Sequence, residues 1–298
     1  MTEKTLGLLE VAIDTPAAAR SSLIVDSQVH VWLPEGPGRP WPWWGQEFRA
    51  EAHRPELSAE SLLQEMSEAG VDRAVLVPPL FEGYRNDYVL DVARTWHNRF
   101  RVMARLDLDA SDLIAQLDTF AADPLVAGIR LVFLPLDLGF IGDSIESKLW
   151  AAAAERDMPL MVHCPGQLSE LRVVARRHPR LRLAVDHMGL SGLRTDADVS
   201  TEILALLELG REPGVSVKLS ALSCYSAEPY PHSALHGPVA AVIDAFGVER
   251  TFWGSDLSRL RGRYRDSVDM VRDHLGLDAD DADHVLGGSL LDWLRWCV

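Results

Sequence analysis

Short runs of apolar residues recur along the chain, and most of them are followed by a stretch in which apolar positions repeat with helical spacing. Buried parallel strands have this appearance, because both of their faces are covered and they contain few polar positions. The runs predict eight strands: Leu23–Val25, Arg73–Val77, Arg101–Leu106, Val126–Leu131, Leu160–Val162, Leu181–Val185, Val215–Leu219 and Thr251–Trp253.

The clearest predicted helix is Ser58–Ala69, which has recognisable signals at both ends. Ser58 is a good N-cap residue, and Gly70 can adopt the left-handed conformation that commonly ends a helix. Similar patterns predict further helices at Tyr88–Trp96, Leu113–Phe120, Ser147–Ala154, Ser169–Arg177, Thr201–Leu209, Val239–Phe246 and Arg265–Leu275.

Eight alternating strand and helix units within about 250 residues predict a closed (β/α)8 TIM barrel of the α/β class. We expect a single barrel domain over residues 23–298, preceded by an N-terminal extension of residues 1–22. A Trp- and Pro-rich segment at 33–55 is longer than an ordinary loop of this fold, and it contains Trp41, Trp43 and Trp44. Long loops are usually functional, so we predict either a lid over the site or a contact between protein copies.

Three polar residues follow predicted strands closely enough to lie on one rim of such a barrel. They are His30 after the first strand, His163 after the fifth and Asp256 after the eighth. Side chains at the carboxyl ends of barrel strands converge, and barrel enzymes have their active sites there. Two imidazoles and one carboxylate predict a hydrolytic centre, with or without a metal, although a histidine after a strand is often structural.

Composition and charge narrow the partners of the protein. The chain has 298 residues, 47% hydrophobic content and a net charge of −15, which gives it no electrostatic reason to bind nucleic acid. No apolar stretch reaches the roughly 18 residues that span a bilayer, so we expect no membrane partner. Three scattered cysteines favour a reducing compartment, and we predict a cytoplasmic protein that acts on a small molecule and can also form a homo-oligomer.

Six short motifs occur in order at the ends of the predicted strands. They are Asp26–Trp32, Gly128–Arg130, Val162–Cys164, Asp186–Gly189, Val217–Ser220 and Gly254–Asp256. Together they resemble the amidohydrolase superfamily, in particular the amidohydrolase-related branch that contains dicarboxypyrone lactonases, sugar-acid lactonases and related decarboxylases. Each motif is weak alone, but their order makes the signal strong.

The resemblance implies hydrolysis of a lactone or a related carboxylic ester, with Asp256 as the base toward water. His30, His163 and His187 would then polarise the carbonyl, orient the water or protonate the leaving alkoxide. Two other kinds of function stay open on this scaffold. One is a decarboxylase, hydratase or amide hydrolase, and the other is a barrel that binds a ligand without catalysis.

One position departs from the family pattern, because Gln28 stands where a His-x-His motif would have its first histidine. Metal-dependent members use both histidines, the strand-five histidine and the strand-eight aspartate as ligands. An amide oxygen is a much poorer zinc ligand than imidazole, and the resemblance implies that the dicarboxypyrone branch works without a metal. We therefore predict no cofactor, with one weakly bound Zn²⁺ at His30, His163 and Asp256 as the alternative.

The resemblance also suggests how a substrate would be held. Arg130 and Lys218 lie at strand ends, where a cation could bind the carboxylate of an acidic lactone, although both could instead pair with a neighbouring aspartate. Gln28, Trp32 and Tyr225 are further candidates to line the pocket. Cys164 is a poor candidate nucleophile, since neighbours on a strand point to opposite faces.

Overall fold

The computed structural model describes residues 22–50, 52, 54, 56–134, 141, 144–192 and 196–297. Its strands form one parallel sheet whose spatial order is the chain order, and the amide of Asp256 donates to the carbonyl of Gln28 at 2.9 Å where the last strand meets the first. This arrangement confirms the predicted barrel. The strands are β1 Val25–Val29, β2 Arg73–Leu76, β3 Phe100–Arg105, β4 Val126–Val132, β5 Leu160–His163, β6 Leu183–Val185, β7 Val215–Ser220 and β8 Thr251–Gly254.

Helices follow the strands and pack around the outside of the barrel. Within the described ranges they are α1 Gly45–Arg49, α2 Ala59–Ala69, α3 Asp87–Thr95, α4 Leu113–Ala122, α5 Ser144–Glu155, α6 Leu168–Arg177, α7 Asp196–Leu209, α8 His236–Phe246, α9 Tyr264–Asp269, α10 Ala279–Asp283 and α11 Ser289–Leu294. None of the helices in this part of the chain is long and apolar enough to cross a bilayer. Except for Ser22, the predicted N-terminal extension lies outside the described residues.

Helix α2 begins and ends as its sequence predicts. The hydroxyl of Ser58 accepts a hydrogen bond from the amide of Ser61 at 3.2 Å, and Gly70 adopts a left-handed φ of 73° at the other end. Three apolar side chains of the intervening turns, Leu62, Met66 and Ala69, are buried against the barrel. Local capping and helical periodicity are sufficient to define this element.

Several predicted elements have the wrong bounds; the helix predicted from Thr201, for example, begins at Asp196 as α7. The first strand is β1 Val25–Val29 rather than Leu23–Val25, and its polar residues are buried in the closed barrel, where Asp26 and Gln28 have hydrogen-bond partners. The helix predicted at Arg265–Leu275 is α9 as far as Asp269, and the backbone then widens into a π-helical turn over Met270–His274. These changes do not follow from the local apolar pattern.

The two ends of the barrel differ in character. At the amino end, Val25, Met161 and Phe252 fill the interior, and Leu290 and Trp296 from the C-terminal segment pack against this apolar group. At the carboxyl end, non-glycine residues adopt left-handed backbone, which is uncommon for side chains other than glycine: His187, Met188, Ala221 and Asp256. Strained backbone of this kind concentrates at functional sites, so the carboxyl end of the barrel is the candidate functional end.

Candidate active site

A cleft of about 760 Å³, measured to its open mouth, lies at the carboxyl end of the barrel. Six of the residues predicted from the sequence to form the site meet in it or directly beneath it. They are Gln28, His30, Arg130, His163, His187 and Asp256, and Lys218 contacts Gln28 from below. The strand ends therefore converge as the fold requires.

Asp256 is almost fully buried, with 1% of its surface exposed, but its carboxylate still reaches the cleft. Its Oδ1 lies 3.3 Å from His30 Nε2, while its Oδ2 lies 3.5 Å from an Arg259 guanidinium nitrogen and 4.0 Å from His187 Nε2. The close approach of β8 to β1 needs glycine at position 254, since a Cβ there would lie 2.6 Å from Ser27 Oγ. Asp256 thus has several polar neighbours and no tight ion pair.

Asp256 remains ionised. Burial raises the pKa of its carboxyl group, but the close contact with His30 and the positive charge of Arg259 more than offset that effect and lower the pKa below its usual value. A carboxylate that stays charged at neutral pH has free lone pairs, so Asp256 is in the correct state to accept a proton.

His187 contacts Ser220. The serine hydroxyl accepts the backbone N–H of His187 at 3.3 Å, and its oxygen lies 2.8 Å from His187 Nδ1. A hydroxyl that donates to Nδ1 leaves the ring proton on Nε2, which faces Asp256. Burial lowers the pKa of His187 to about 3, so the ring is neutral at neutral pH and carries one N–H.

His30 is oriented by the strand beside it. Its Nδ1 lies 2.7 Å from the carbonyl oxygen of Val77, which can only accept, so Nδ1 carries a proton. Its Nε2 lies 3.3 Å from the amide nitrogen of Gln28 and 3.3 Å from Asp256 Oδ1. With the proton on Nδ1, Nε2 of a neutral ring accepts from the NH₂ group of Gln28, and its contact with Asp256 Oδ1 is not a hydrogen bond.

His163 is the least restrained of the three histidines by hydrogen bonds to described residues. Its ring meets that of His187 edge to face, with centroids 5.2 Å apart, and its Nδ1 has no hydrogen-bond partner among the described residues. Burial, together with the nearby His187 and Arg130, holds its pKa well below the usual range. His163 is thus a neutral imidazole that lines the cleft, and it supplies no positive charge there.

A second buried carboxylate, Asp186, lies below the cleft and is fully engaged. Its Oδ2 is 2.5 Å from Arg130 Nε, and its Oδ1 is 2.9 Å from Lys218 Nζ. Burial raises the pKa of Asp186, and the two cations lower it further than burial raises it. Arg130 and Lys218 therefore already have a counter-ion, which was the alternative to their binding a substrate carboxylate.

The contacts of Gln28 decide how well the site would suit a metal. The ammonium of Lys218 can only donate, and it contacts Gln28 Oε1, so the NH₂ group of Gln28 faces His30. The oxygen that could have bound a metal is thus directed at a cation, and a donor faces His30 Nε2. Among the described residues, no group of three His, Cys, Asp or Glu side chains has an arrangement that could hold a metal ion. The side chains as arranged do not fit a resident zinc ion.

A model of the amidohydrolase family matches residues 25–288 of the chain. One curated relative, the L-fucono-1,5-lactonase of Burkholderia ambifaria, is 31% identical over 247 residues, which cover 81% of this chain and 83% of the relative. The chain belongs to the amidohydrolase family. It is therefore a hydrolase.

Solved structures of other proteins have the same fold as this amidohydrolase. A probable 2-pyrone-4,6-dicarboxylic acid hydrolase from Acinetobacter baumannii, with citric acid bound, superposes with a TM-score of 0.74 at 16% identity. An amidohydrolase from Burkholderia multivorans with bound zinc superposes with a TM-score of 0.75 at 22% identity. Each comparison covers 92% of this chain and 99% of the other.

Some predicted pocket residues do not line the cleft of this amidohydrolase. Trp32 and Tyr225 are completely buried, and Trp32 packs edge to face on Phe81 with ring centroids 5.4 Å apart. The Trp- and Pro-rich segment does reach the mouth, but through Phe48 and Ala52 rather than through its tryptophans. Trp43 is 83% exposed, so nothing in the described part of the chain covers it.

Sequence reasoning missed two cations of the site. Arg259 follows Asp256 by three residues, and Arg105 is the last residue of β3, where a strand-end cation should have been considered like Arg130. Both line the cleft. Arg105 was overlooked because it is not in any of the six family motifs.

Asp26 has a structural role beside the cleft. One of its oxygens accepts from the amides of Gln28 at 2.8 Å and Ser255 at 3.0 Å, and the other accepts from the hydroxyl of Tyr264 at 2.6 Å. Burial raises the pKa of Asp26 to about 6 despite these bonds. The carboxyl group joins β1 to β8 and so fixes the backbone that carries His30 and Asp256.

Proposed function

We propose that this amidohydrolase opens a lactone ring by attack of water, with Asp256 as the general base and without a resident metal. The observation that carries the proposal is the 4.0 Å gap between Asp256 Oδ2 and His187 Nε2. The gap is too long for a direct hydrogen bond, and one water can bridge it by donating to the carboxylate and accepting from the imidazole N–H. The similarity to an L-fucono-1,5-lactonase supports the same chemistry.

The chemical step then balances within the site. The oxygen of the bridging water forms a bond to the lactone carbonyl carbon while its proton moves to Asp256. The tetrahedral intermediate collapses by breaking the ring C–O bond, and the leaving alkoxide takes up the proton that Asp256 received. The second proton of the water is on the new carboxylic acid and is then lost to solvent, so the products are one carboxylate, one hydroxyl on the opened chain and one proton.

Charge stabilisation of the intermediate falls to Arg259 in this proposal. Its guanidinium is 3.5 Å from Asp256 and therefore close to any oxyanion that forms beside the attacking water. His163 and His187 are neutral, so they contribute oriented hydrogen bonds rather than charge. His30 restrains Asp256 through the contact between its Nε2 and Oδ1.

The proposed independence of a metal rests on the atoms that surround Gln28 and His30. Lys218 takes the oxygen of Gln28, and Asp186 neutralises Lys218 in turn. A dication at His30 would face the NH₂ group of Gln28 and would be repelled by nearby cations. In place of a metal, the charged Asp256 has His30, His187 and Arg259 around it.

Two broader predictions also remain proposals. Cys164, Cys224 and Cys297 are free thiols, which supports the cytoplasmic location predicted from their number. We keep the homo-oligomer as an alternative use of the Trp- and Pro-rich segment, because exposed Trp43 suits a contact between copies better than a lid.

The test is ring opening by protein freed of metal. The purified protein is dialysed against a chelator and assayed by proton release with sugar 1,4- and 1,5-lactones, muconolactone and a pyrone dicarboxylate, with and without Zn²⁺. We expect turnover of at least one lactone in chelator, unchanged by Zn²⁺. Turnover only with Zn²⁺ would refute the metal-free mechanism, and the absence of any lactone opening, or release of CO₂ instead, would refute the lactonase.

A further inference from the structure

Among the described residues, the cleft contains one buried cation that no described carboxylate neutralises, Arg105. Arg105 is 5% exposed, lines the cleft and makes no ion pair with a described carboxylate. Its Nε is buried without a hydrogen-bond partner among the described residues. Its side chain has one described favourable contact, with its Cζ 5.5 Å from the ring centroid of Tyr84. A buried guanidinium without an anion is costly, and proteins rarely retain one without a use.

Arg130, which lies beside Arg105, makes the lack of a counter-ion for Arg105 more unusual. Arg105 and Arg130 are directly paired in the parallel ladder of β3 and β4, so two guanidinium groups leave adjacent strands at the same level. Arg130 is neutralised by Asp186, while the charged side chain that acts most strongly on Arg105 is the like-charged Arg130. Burial and that charge lower the pKa of Arg105 to about 9, which still leaves it protonated at neutral pH.

The charges of the whole site also favour binding of an anion. Among the described residues in or directly beneath the cleft, the cations are Arg105, Arg130, Lys218 and Arg259, and the carboxylates are Asp186 and Asp256. Cations are therefore in excess in a protein whose net charge is −15. Such a cleft attracts an anion and concentrates it at Arg105, the one of these cations without a described carboxylate partner.

We propose that Arg105 binds a carboxylate carried by the substrate, so that the natural substrate is an acidic lactone with a free carboxylate in addition to the ring ester. The proposal rests on the lactonase function and adds the substrate class and the residue that selects it. Guanidinium and carboxylate match in a two-pronged contact, and the desolvated position of Arg105 makes that contact strong.

The test compares two lactones that differ in one group. Glucaro-1,4-lactone carries a carboxylate at C6, and glucono-1,4-lactone has a hydroxymethyl group there. We expect Arg105→Met to lower kcat/KM for the acidic lactone by about 10- to 100-fold, the scale of a lost charge-assisted contact, and to change that for the neutral lactone less than about threefold. Arg105→Lys should recover part of the loss. Arg101→Met, on the same strand but bonded to backbone carbonyls outside the cleft, is the matched control and should change neither value.

Binding of the opened products separates this proposal from the lactonase itself. Calorimetry with glucarate and gluconate requires no turnover, and we expect the wild type to prefer glucarate and Arg105→Met to lose that preference. If neither lactone is opened but this preference is found and lost as expected, the carboxylate site holds and the lactonase fails. Equal loss for both lactones, no loss for either, or a wild type without preference for the carboxylate in turnover and binding would overturn the role of Arg105.

Discussion

Asp186 and Asp256 are two buried aspartates in equivalent positions, each just after a barrel strand, and both have pKa values below the usual range. Their surroundings differ. Asp186 is 2.5 Å from Arg130 and 2.9 Å from Lys218 and does not line the cleft. Asp256 has its nearest charged or imidazole groups at 3.3 to 4.0 Å and does line it. A depressed pKa therefore does not identify a catalytic carboxylate; unused lone pairs beside open space do.

Gln28 connects the two aspartates. Its oxygen contacts Lys218 of the Asp186 cluster, and its NH₂ group faces His30, which in turn contacts Asp256. Gln28 thus contacts both the Asp186 cluster and His30, so it can position the His30 ring beside Asp256.

Asp256→Asn should have the largest effect on activity. We expect kcat to fall by about 100- to 10,000-fold, the range for loss of a general base, because the amide keeps the shape but cannot accept the proton. The free energy of unfolding should change by no more than about 1 kcal/mol, since no tight ion pair is broken. Steady-state kinetics and urea unfolding measure both. Near wild-type turnover would mean that Asp256 is not the base.

Asp186→Asn should instead act on stability. Removal of this charge leaves Arg130 and Lys218 buried with no described counter-ion, and we expect the free energy of unfolding to fall by about 3 to 5 kcal/mol. The control is Asp118→Asn, which breaks an exposed pair with Arg156 and should cost less than about 1 kcal/mol. Equal losses in urea unfolding of the two variants would show that Asp186 does not hold the cluster together.

Gln28→His should have the smallest of the three effects. Restoring an imidazole gives Zn²⁺ the missing ligand, and we expect its affinity to rise by at least about tenfold in calorimetry. Gln28→Leu is the control, since it also releases Lys218 but adds no ligand. Equal Zn²⁺ affinity in the wild type and Gln28→His would mean that position 28 does not govern metal binding.

Much of the barrel could be predicted because its outer surface follows local rules. Apolar runs and caps such as Ser58 and Gly70 identified the units correctly. The first strand was displaced because Asp26, Ser27 and Gln28 look polar, and only the closed barrel reveals that Ser255 and Tyr264 satisfy Asp26. Tertiary contacts of this kind override local polarity.

Some residues of the cleft could be predicted from the sequence, but their roles could not. Strand-end position and the family motifs were enough to predict that His30, His163 and Asp256 lie in one cleft. Whether Arg130 binds substrate or Asp186 depends on distances across strands β4, β6 and β7, which sequence order does not contain. Arg105 was recognised from a missing contact, because its Nε has no hydrogen-bond partner among the described residues. No sequence motif can report the absence of a contact.

The central claim is that water, activated by Asp256, attacks the lactone. Single-turnover ring opening in ¹⁸O-water, with enzyme in excess over a lactone that it opens, tests this directly. Attack by water predicts one ¹⁸O atom in the new carboxylate of the product after the first turnover, as mass spectrometry would measure. Product that contains only ¹⁶O, with ¹⁸O found in the Asp256 side chain, would show that the carboxylate attacks as a nucleophile and would contradict the account.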